Sequence, residues 1–247
     1  MGIFSHFFFY PWGLILQGLA IVHLIRRRGA YYWFFIILFV GPLGALIYII
    51  IEVVPDLDLL RSAFAAQGRK KRIEIVETAI LDNPSAANLE ELGELYWDQK
   101  EYAKARDAFN RSIEARSDSV HSFYRRGLCA LELGNFAEAI PDLAYVIQQD
   151  RHYDSYRTMA LLAHAYAQTG EVAAASEFFN EALQFSTTPE TLYNYAAFLK
   201  SQNQLVEARE WLQKLSQKKR TLPRAIARRE SAWFRKGDAL RKELGSG

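Results

Sequence analysis

Residues 89–109 read LEELGELYWDQKEYAKARDAF. Leu89, Leu92, Gly93 and Tyr96 fall on one helical face. Ala105 and Phe109 fall on the face of a second helix, and a short polar stretch separates the two. The pattern recurs. A shift of 34 places Gly127 under Gly93, Phe136 under Tyr102 and Ala139 under Ala105. A further 36 gives Ala163, Tyr166, Ala175 and Phe179, and a last 33 gives Ala196, Leu199, Ala208 and Leu212. Two columns stay small throughout: Gly93, Gly127, Ala163, Ala196, and Ala105, Ala139, Ala175, Ala208. An amphipathic helix by itself needs only an apolar stripe. Two small columns in phase mean paired helices whose backbones nearly touch where they cross. Gly134 and Gly170 share one register, where a left-handed residue would end the first helix of each pair, and Asn203 takes that place in the fourth.

This pattern resembles the tetratricopeptide repeat, W-x2-L-G-x2-Y followed by A-x3-F over about 34 residues, with Leu89 in place of the initial Trp. The resemblance covers roughly residues 84–216 and implies an all-α solenoid of about four repeats with terminal capping helices. Lys71 to Leu81 reads as a helix without a partner, so residues 69–83 are expected to form an N-terminal capping half-repeat. Arg224 to Leu244 reads as a C-terminal cap within a basic segment, 217–247. The family's groove positions, carried onto this chain, fall on Glu90, Glu94, Trp97 and Asp98 in the first repeat. They fall on His121, Tyr124 and Glu132 in the second, on Arg157, His164 and Gln168 in the third, and on Tyr193 and Lys200 in the fourth. The resemblance implies a protein or peptide partner on that concave face. The Lys/Asn/Arg clamp that some members use for a C-terminal carboxylate is missing from its usual positions, so a reader of chaperone tails is not expected.

The N-terminal quarter has another character. No Lys, Arg, Asp or Glu occurs before Arg26, and a second uncharged run extends from Gly29 to Ile51. About 20 apolar helical residues cross a bilayer core. Residues 1–54 are therefore expected to form a two-helix transmembrane hairpin, with helices at about 7–25 and 31–54 and a linker over 55–68. The Arg26-Arg27-Arg28 link, Trp33, and the run from Ile36 through Gly41-Pro42-Leu43-Gly44 to Tyr48 resemble the two-helix N-terminal domain of bacterial cardiolipin synthases, a phospholipase D N-terminal-like anchor. That resemblance implies an integral inner (plasma) membrane protein in contact with the lipid bilayer. The three arginines of the link lie closer to the helix ends than any later basic residue, which puts the repeats on the periplasmic, outer side. The phospholipase half does not follow: no histidine is followed two residues later by lysine.

Charge is segregated along the remainder. Residues 69–72 are Arg-Lys-Lys-Arg; residues 73–215 hold 12 basic and 22 acidic side chains; residues 216–247 hold 10 basic and 3 acidic. The basic C-terminal helix suits an anionic lipid contact, while a solvated cap that complements the acidic repeats explains it more simply; nucleic acid is not an expected partner. A single cysteine, Cys129, excludes an internal disulfide and a Cys-cluster zinc site. No phosphate loop, dinucleotide turn, H-E-x-x-H or G-x-S-x-G motif is present. No catalytic residue, metal or cofactor is expected. The functional expectation is a non-catalytic, membrane-anchored scaffold. The alternative is an accessory protein of membrane lipid metabolism acting through its hairpin.

Overall fold

The computed structural model describes residues 11–27, 30–53, 57–115 and 119–245, and all regular structure among them is helical. The chain divides into two compact units, residues 1–72 and 73–247.

In the first unit, α1 spans Pro11–Arg27, α2 Tyr32–Phe39 and α3 Pro42–Tyr48, the last continued by a π-helical turn at Ile49–Val53. The expected membrane-spanning hairpin is not formed. Among the described residues no helix is long and apolar enough to cross a membrane. The second run is broken outright at Gly41, whose φ of 65° and ψ of −142° no helix contains. Pro42 adds to the break by withholding the amide that Leu38 would have accepted. The pieces are 8 and 7 residues long. The transmembrane hairpin, and with it the placement in the inner membrane with the repeats outside, is therefore corrected. The first expected helix before Pro11, and Arg28 and Gly29 of the link, lie outside the described residues.

What the break creates is a small packed unit. Gln17 Nε2 donates to the Ile37 carbonyl at 2.8 Å, serving an acceptor at the interrupted end of α2. His23 Nδ1 meets the Tyr48 hydroxyl at 2.9 Å, and Trp33 Nε1 donates to Glu52 at 3.2 Å. Ala20, Leu24, Trp33, Ile37, Ala45 and Tyr48 form the core. Gly44 sits where a Cβ would lie 2.3 Å from the Ile36 oxygen, so α3 can fold back on α2 only with glycine there. Helix α4, Leu57–Asp82, begins in this unit and ends in the next. It is continuous where a linker to residue 68 was expected.

The second unit is a succession of helical hairpins: α5 (Ala86–Asp98) with α6 (Tyr102–Ala115), α7 (Val120–Glu132) with α8 (Phe136–Gln149), α9 (Arg157–Thr169) with α10 (Val172–Phe185), and α11 (Pro189–Ser201) with α12 (Leu205–Thr221). Two more helices follow, α13 (Arg224–Arg229) and α14 (Ser231–Gly245). Three of the four first helices begin on a hydroxyl cap, with Ser85, Ser119 and Thr188 accepting from the amide three residues on. All four end on a left-handed residue: Lys100 (φ 61°), Gly134 (77°), Gly170 (83°) and Asn203 (60°). The small columns lie at the crossings and are buried in every repeat. The Phe109 ring lies against Gly93, and Leu143 lies against Gly127. At the N-terminal end, Ile73, Val76 and Ile80 of α4 bury against Leu89, Leu92 and Ala108. Tyr96 donates its hydroxyl to Glu77, and burial followed by this carboxylate pushes the phenol up to about 12. At the other end Phe234, Leu240 and Leu244 of α14 close the core over Leu212 and Leu215.

Candidate protein-binding face

The first helices of the hairpins carry a chain of polar contacts from α5 to α11. Glu94 on α5 accepts a two-pronged hydrogen bond from the Arg125 guanidinium on α7, and a third bond from His121 Nε2 at 2.9 Å. Burial works to raise the Glu94 pKa, but the bonds from His121 and Arg125 outweigh it and hold the carboxyl below its ordinary range. Arg125 lies 5.2 Å over the Trp97 ring, and that ring rests 5.0 Å from Tyr102. With Nε2 donating, Nδ1 of a neutral His121 is left to accept from the Tyr153 hydroxyl, 3.4 Å away in the turn before α9.

Tyr153 also rests against the Tyr124 ring, with centroids 5.0 Å apart. The Tyr124 hydroxyl donates to Asp154 and accepts from Arg157 Nη1 at 2.9 Å. Burial, followed by the Asp154 hydrogen bond against the opposing Arg157 charge, raises its pKa. Arg157 continues to Asp154 at 3.2 Å and to Glu190 on α11 at 2.7 Å. Burial would lower the Arg157 pKa, and the Glu190 carboxylate more than reverses it.

The ten expected groove residues therefore separate. Glu94, Trp97, His121, Tyr124 and Arg157 join one connected cluster. Asp98 and Gln168 are exposed. His164 is set against the edge of Phe136 at 5.5 Å; burial, then the charge of Lys236, pushes its pKa down to about 4. Tyr193 and Lys200 are engaged by the terminal helix. Tyr193 lies 5.7 Å from the Trp233 ring, and Lys200 pairs with Glu243. Of the two further groove positions, Glu90 accepts from Ser119 and Ser122 on the next repeat, and Glu132 is exposed. Arg125, Tyr153, Asp154 and Glu190 complete the cluster and were not among the expected residues. The signal for two of them was present: the spacing from repeat two to repeat three is 36, and the extra residues fall in the turn that carries Tyr153 and Asp154.

A solenoid of helical hairpins with small residues at each crossing defines a class of repeat proteins, and the comparisons specify it. Family models described as "Tetratricopeptide repeat" match residues 57–120, 90–150 and 130–188. The chain carries tetratricopeptide repeats, a non-catalytic fold for protein interaction. Those matches begin at residue 57 and give the cardiolipin-synthase-like N-terminal pair no support. Among solved structures, the chain is similar to YrrB, a TPR protein described as having an unusual peptide-binding site, at 19% identity and a TM-score of 0.54, over 64% of this chain and 80% of that one. It is similar to MamA from Desulfovibrio magneticus RS-1 at 15% identity and a TM-score of 0.58, over 66% and 93%. It is also similar to PilW, a type IV pilus biogenesis factor, at 17% identity and a TM-score of 0.55, over 74% and 89%.

Proposed function

We infer that the chain is a non-catalytic scaffold that takes a segment of a partner protein along the face built by α5, α7 and α9. The observation that carries this reading is the cluster of Glu94, Trp97, His121, Arg125 and Tyr153. It sets two aromatic rings and an oriented guanidinium beside exposed Asp98, which is the composition of a protein-binding hot spot. Glu94 fixes Arg125 over Trp97, so the partner meets a surface already ordered and the association loses less side-chain entropy. The peptide-binding site described for YrrB, on a similar fold, is consistent with this use of the repeats. Asp98, Glu132 and Asp154 add acidic character, and the segment that fits best carries a basic residue next to an aromatic one.

The test is site-directed photo-crosslinking in cells. A benzoylphenylalanine at His121 is expected to trap a discrete partner, and the same group at Lys214, on α12, is expected not to. Trapping should be lost when Trp97→Ala is added. An identical product pattern from both positions, or one indifferent to Trp97→Ala, would reject this face as the binding surface.

A further inference from the structure

Helix α12 presents a stripe of long polar side chains away from its buried face. Arg209, Gln213, Ser216, Gln217 and Arg220 follow one another at helical spacing and line a groove closed on the far side by Arg241 and Gly245 of α14. Three guanidinium groups share this groove, and no carboxylate is among the described residues that line it. Elsewhere in the repeats an arginine meets a carboxylate across helices: Arg106 with Glu138, Arg125 with Glu94, Arg126 with Asp142, Arg151 with Glu181 and Arg157 with Glu190. In the groove Arg209 is held by the main chain instead, donating to the Leu244 carbonyl at 2.6 and 3.2 Å, where it closes the C-terminal end of α14. Arg241 pairs with Asp238, one turn back on its own helix, at 3.1 Å. Arg220 is exposed.

We propose that this groove is a second binding site, specific for an acidic peptide segment of a partner protein, and separate from the face formed by the first helices. Three guanidinium groups share the groove against the single carboxylate of Asp238, which Lys219 also approaches at 3.9 Å, and an incoming carboxylate relieves the excess of positive charge. Arginine adds a planar fork that holds a carboxylate by two parallel bonds. From Arg209 to Arg220 the stripe rises about 16 Å, the length of about five extended residues. The intervening Gln213, Ser216 and Gln217 supply acceptors as well as donors; a peptide main chain has N–H groups to meet the acceptors, and phosphate oxygens have none. That favours a peptide over nucleic acid. The site does not depend on the reading of the other face, because its residues are different ones.

A fluorescein-labelled hexaglutamate peptide tests it by anisotropy on the full chain, at about 50 mM and about 300 mM salt, where screening differs strongly. Binding is expected at the lower salt and should weaken at the higher. Arg220→Gln combined with Arg241→Gln should weaken it at least about tenfold, the loss expected on removing two charge-assisted contacts. Arg224→Gln combined with Arg235→Gln removes the same net charge from exposed positions outside the groove, and should change it less than about threefold. Equal losses in the two pairs would overturn the proposal in favour of a diffuse field. No binding at the lower salt would overturn it as well. Tighter binding of hexauridylate, or of phosphatidylglycerol vesicles, than of the peptide would assign the groove to another kind of partner and overturn the assignment to acidic peptide. Circular dichroism of each variant confirms that the helices remain.

Discussion

Replacing Gly93 and Gly127 by alanine separates two crossings that look alike in sequence. A Cβ on Gly93 would lie 2.7 Å from Cε1 and Cζ of Phe109 and 2.9 Å from Cδ1. Carbon atoms settle at about 3.5–4.0 Å, so the ring or the helix must move by about 0.8 Å or more. The ring has little room. Phe109 is fully buried and grouped with Ala105, Cys129, Tyr96 and Trp97. Overpacking of this kind costs about 1–3 kcal/mol, and alanine returns about 1 kcal/mol over glycine inside a helix. The net loss expected for Gly93→Ala is about 0–2 kcal/mol, at the upper end of that range because the buried ring cannot swing aside. At Gly127 the nearest atoms are Leu143 Cδ2 and Cγ at 3.2 Å and Asp142 Cβ at 3.3 Å. There a few tenths of an ångström and a flexible leucine suffice, and the propensity gain of about 1 kcal/mol leaves Gly127→Ala near neutral. Urea unfolding followed by circular dichroism reads both variants. Phe109→Leu in the Gly93→Ala background should recover part of the loss, because Leu occupies the equivalent place at 143 and 212. A Gly93→Ala protein as stable as the parent, or one less affected than Gly127→Ala, would refute the assigned crossing geometry.

Three further outcomes are expected. Lys100→Gly should raise stability by about 0.5–1 kcal/mol, seen as a higher urea midpoint, since lysine holds there the left-handed φ of 61° that glycine adopts freely. His164 is held to about 4 in the folded state against an ordinary value near 6.5. The unfolded chain therefore takes up the proton first on acidification. Stability present above about pH 6.5 is lost as pH falls toward 4, by up to about 3 kcal/mol, and a thermal-melt series of His164→Gln should show a flatter pH profile. Asp142→Ala should cost about 1–3 kcal/mol by chemical denaturation, because Arg126 loses its two bonds to Asp142 at 2.7 and 2.8 Å, which join α7 to α8, and keeps only its 2.6 Å bond to Asn110.

The repeat fold was legible because tight crossings restrict side-chain size and restricted columns survive in the sequence. Gly93, Gly127, Ala163 and Ala196, with the facing alanines, were enough to set the register. The left-handed helix ends were legible only where glycine or asparagine marked them. Lys100 adopts the same conformation and carries no mark, since its φ is imposed by the hairpin around it. The N-terminal unit was misread for a related reason. Counting uncharged residues from Gly29 to Ile51 measures a run of composition, whereas the length of a helix is set by where its hydrogen bonds stop. Gly41-Pro42 stops them after 8 residues. Of the candidate face, position within each repeat located Glu94, His121, Tyr124 and Arg157, but not their partners. Arg125 sits in the same helix as His121, and only the spatial offset between hairpins brings it to Glu94.

The third repeat shows why its contribution to that face could not be read from the pattern alone. It lacks the hydroxyl cap that begins the other three first helices. In its place Asp154, Ser155 and Tyr156 hold successive φ values of 49°, 55° and 65°. A left-handed conformation costs a residue with a side chain about 1–2 kcal/mol, so three in a row require compensation. The structure provides it at each residue or beside it: Asp154 receives Tyr124 and Arg157, Tyr156 stacks on Phe185 at 4.4 Å and 11°, and Thr158 Oγ1 donates to the Tyr153 carbonyl at 3.2 Å. The Tyr124 contact reaches back to α7 in the preceding repeat, Arg157 goes on to Glu190 on α11 in the following one, and Phe185 closes the turn from the end of α10 in the same repeat. The turn is therefore stable only as part of the assembled stack, and the side chains it brings to the candidate face, Tyr153 above all, are ordered by the folding of three repeats rather than by the local sequence that contains them.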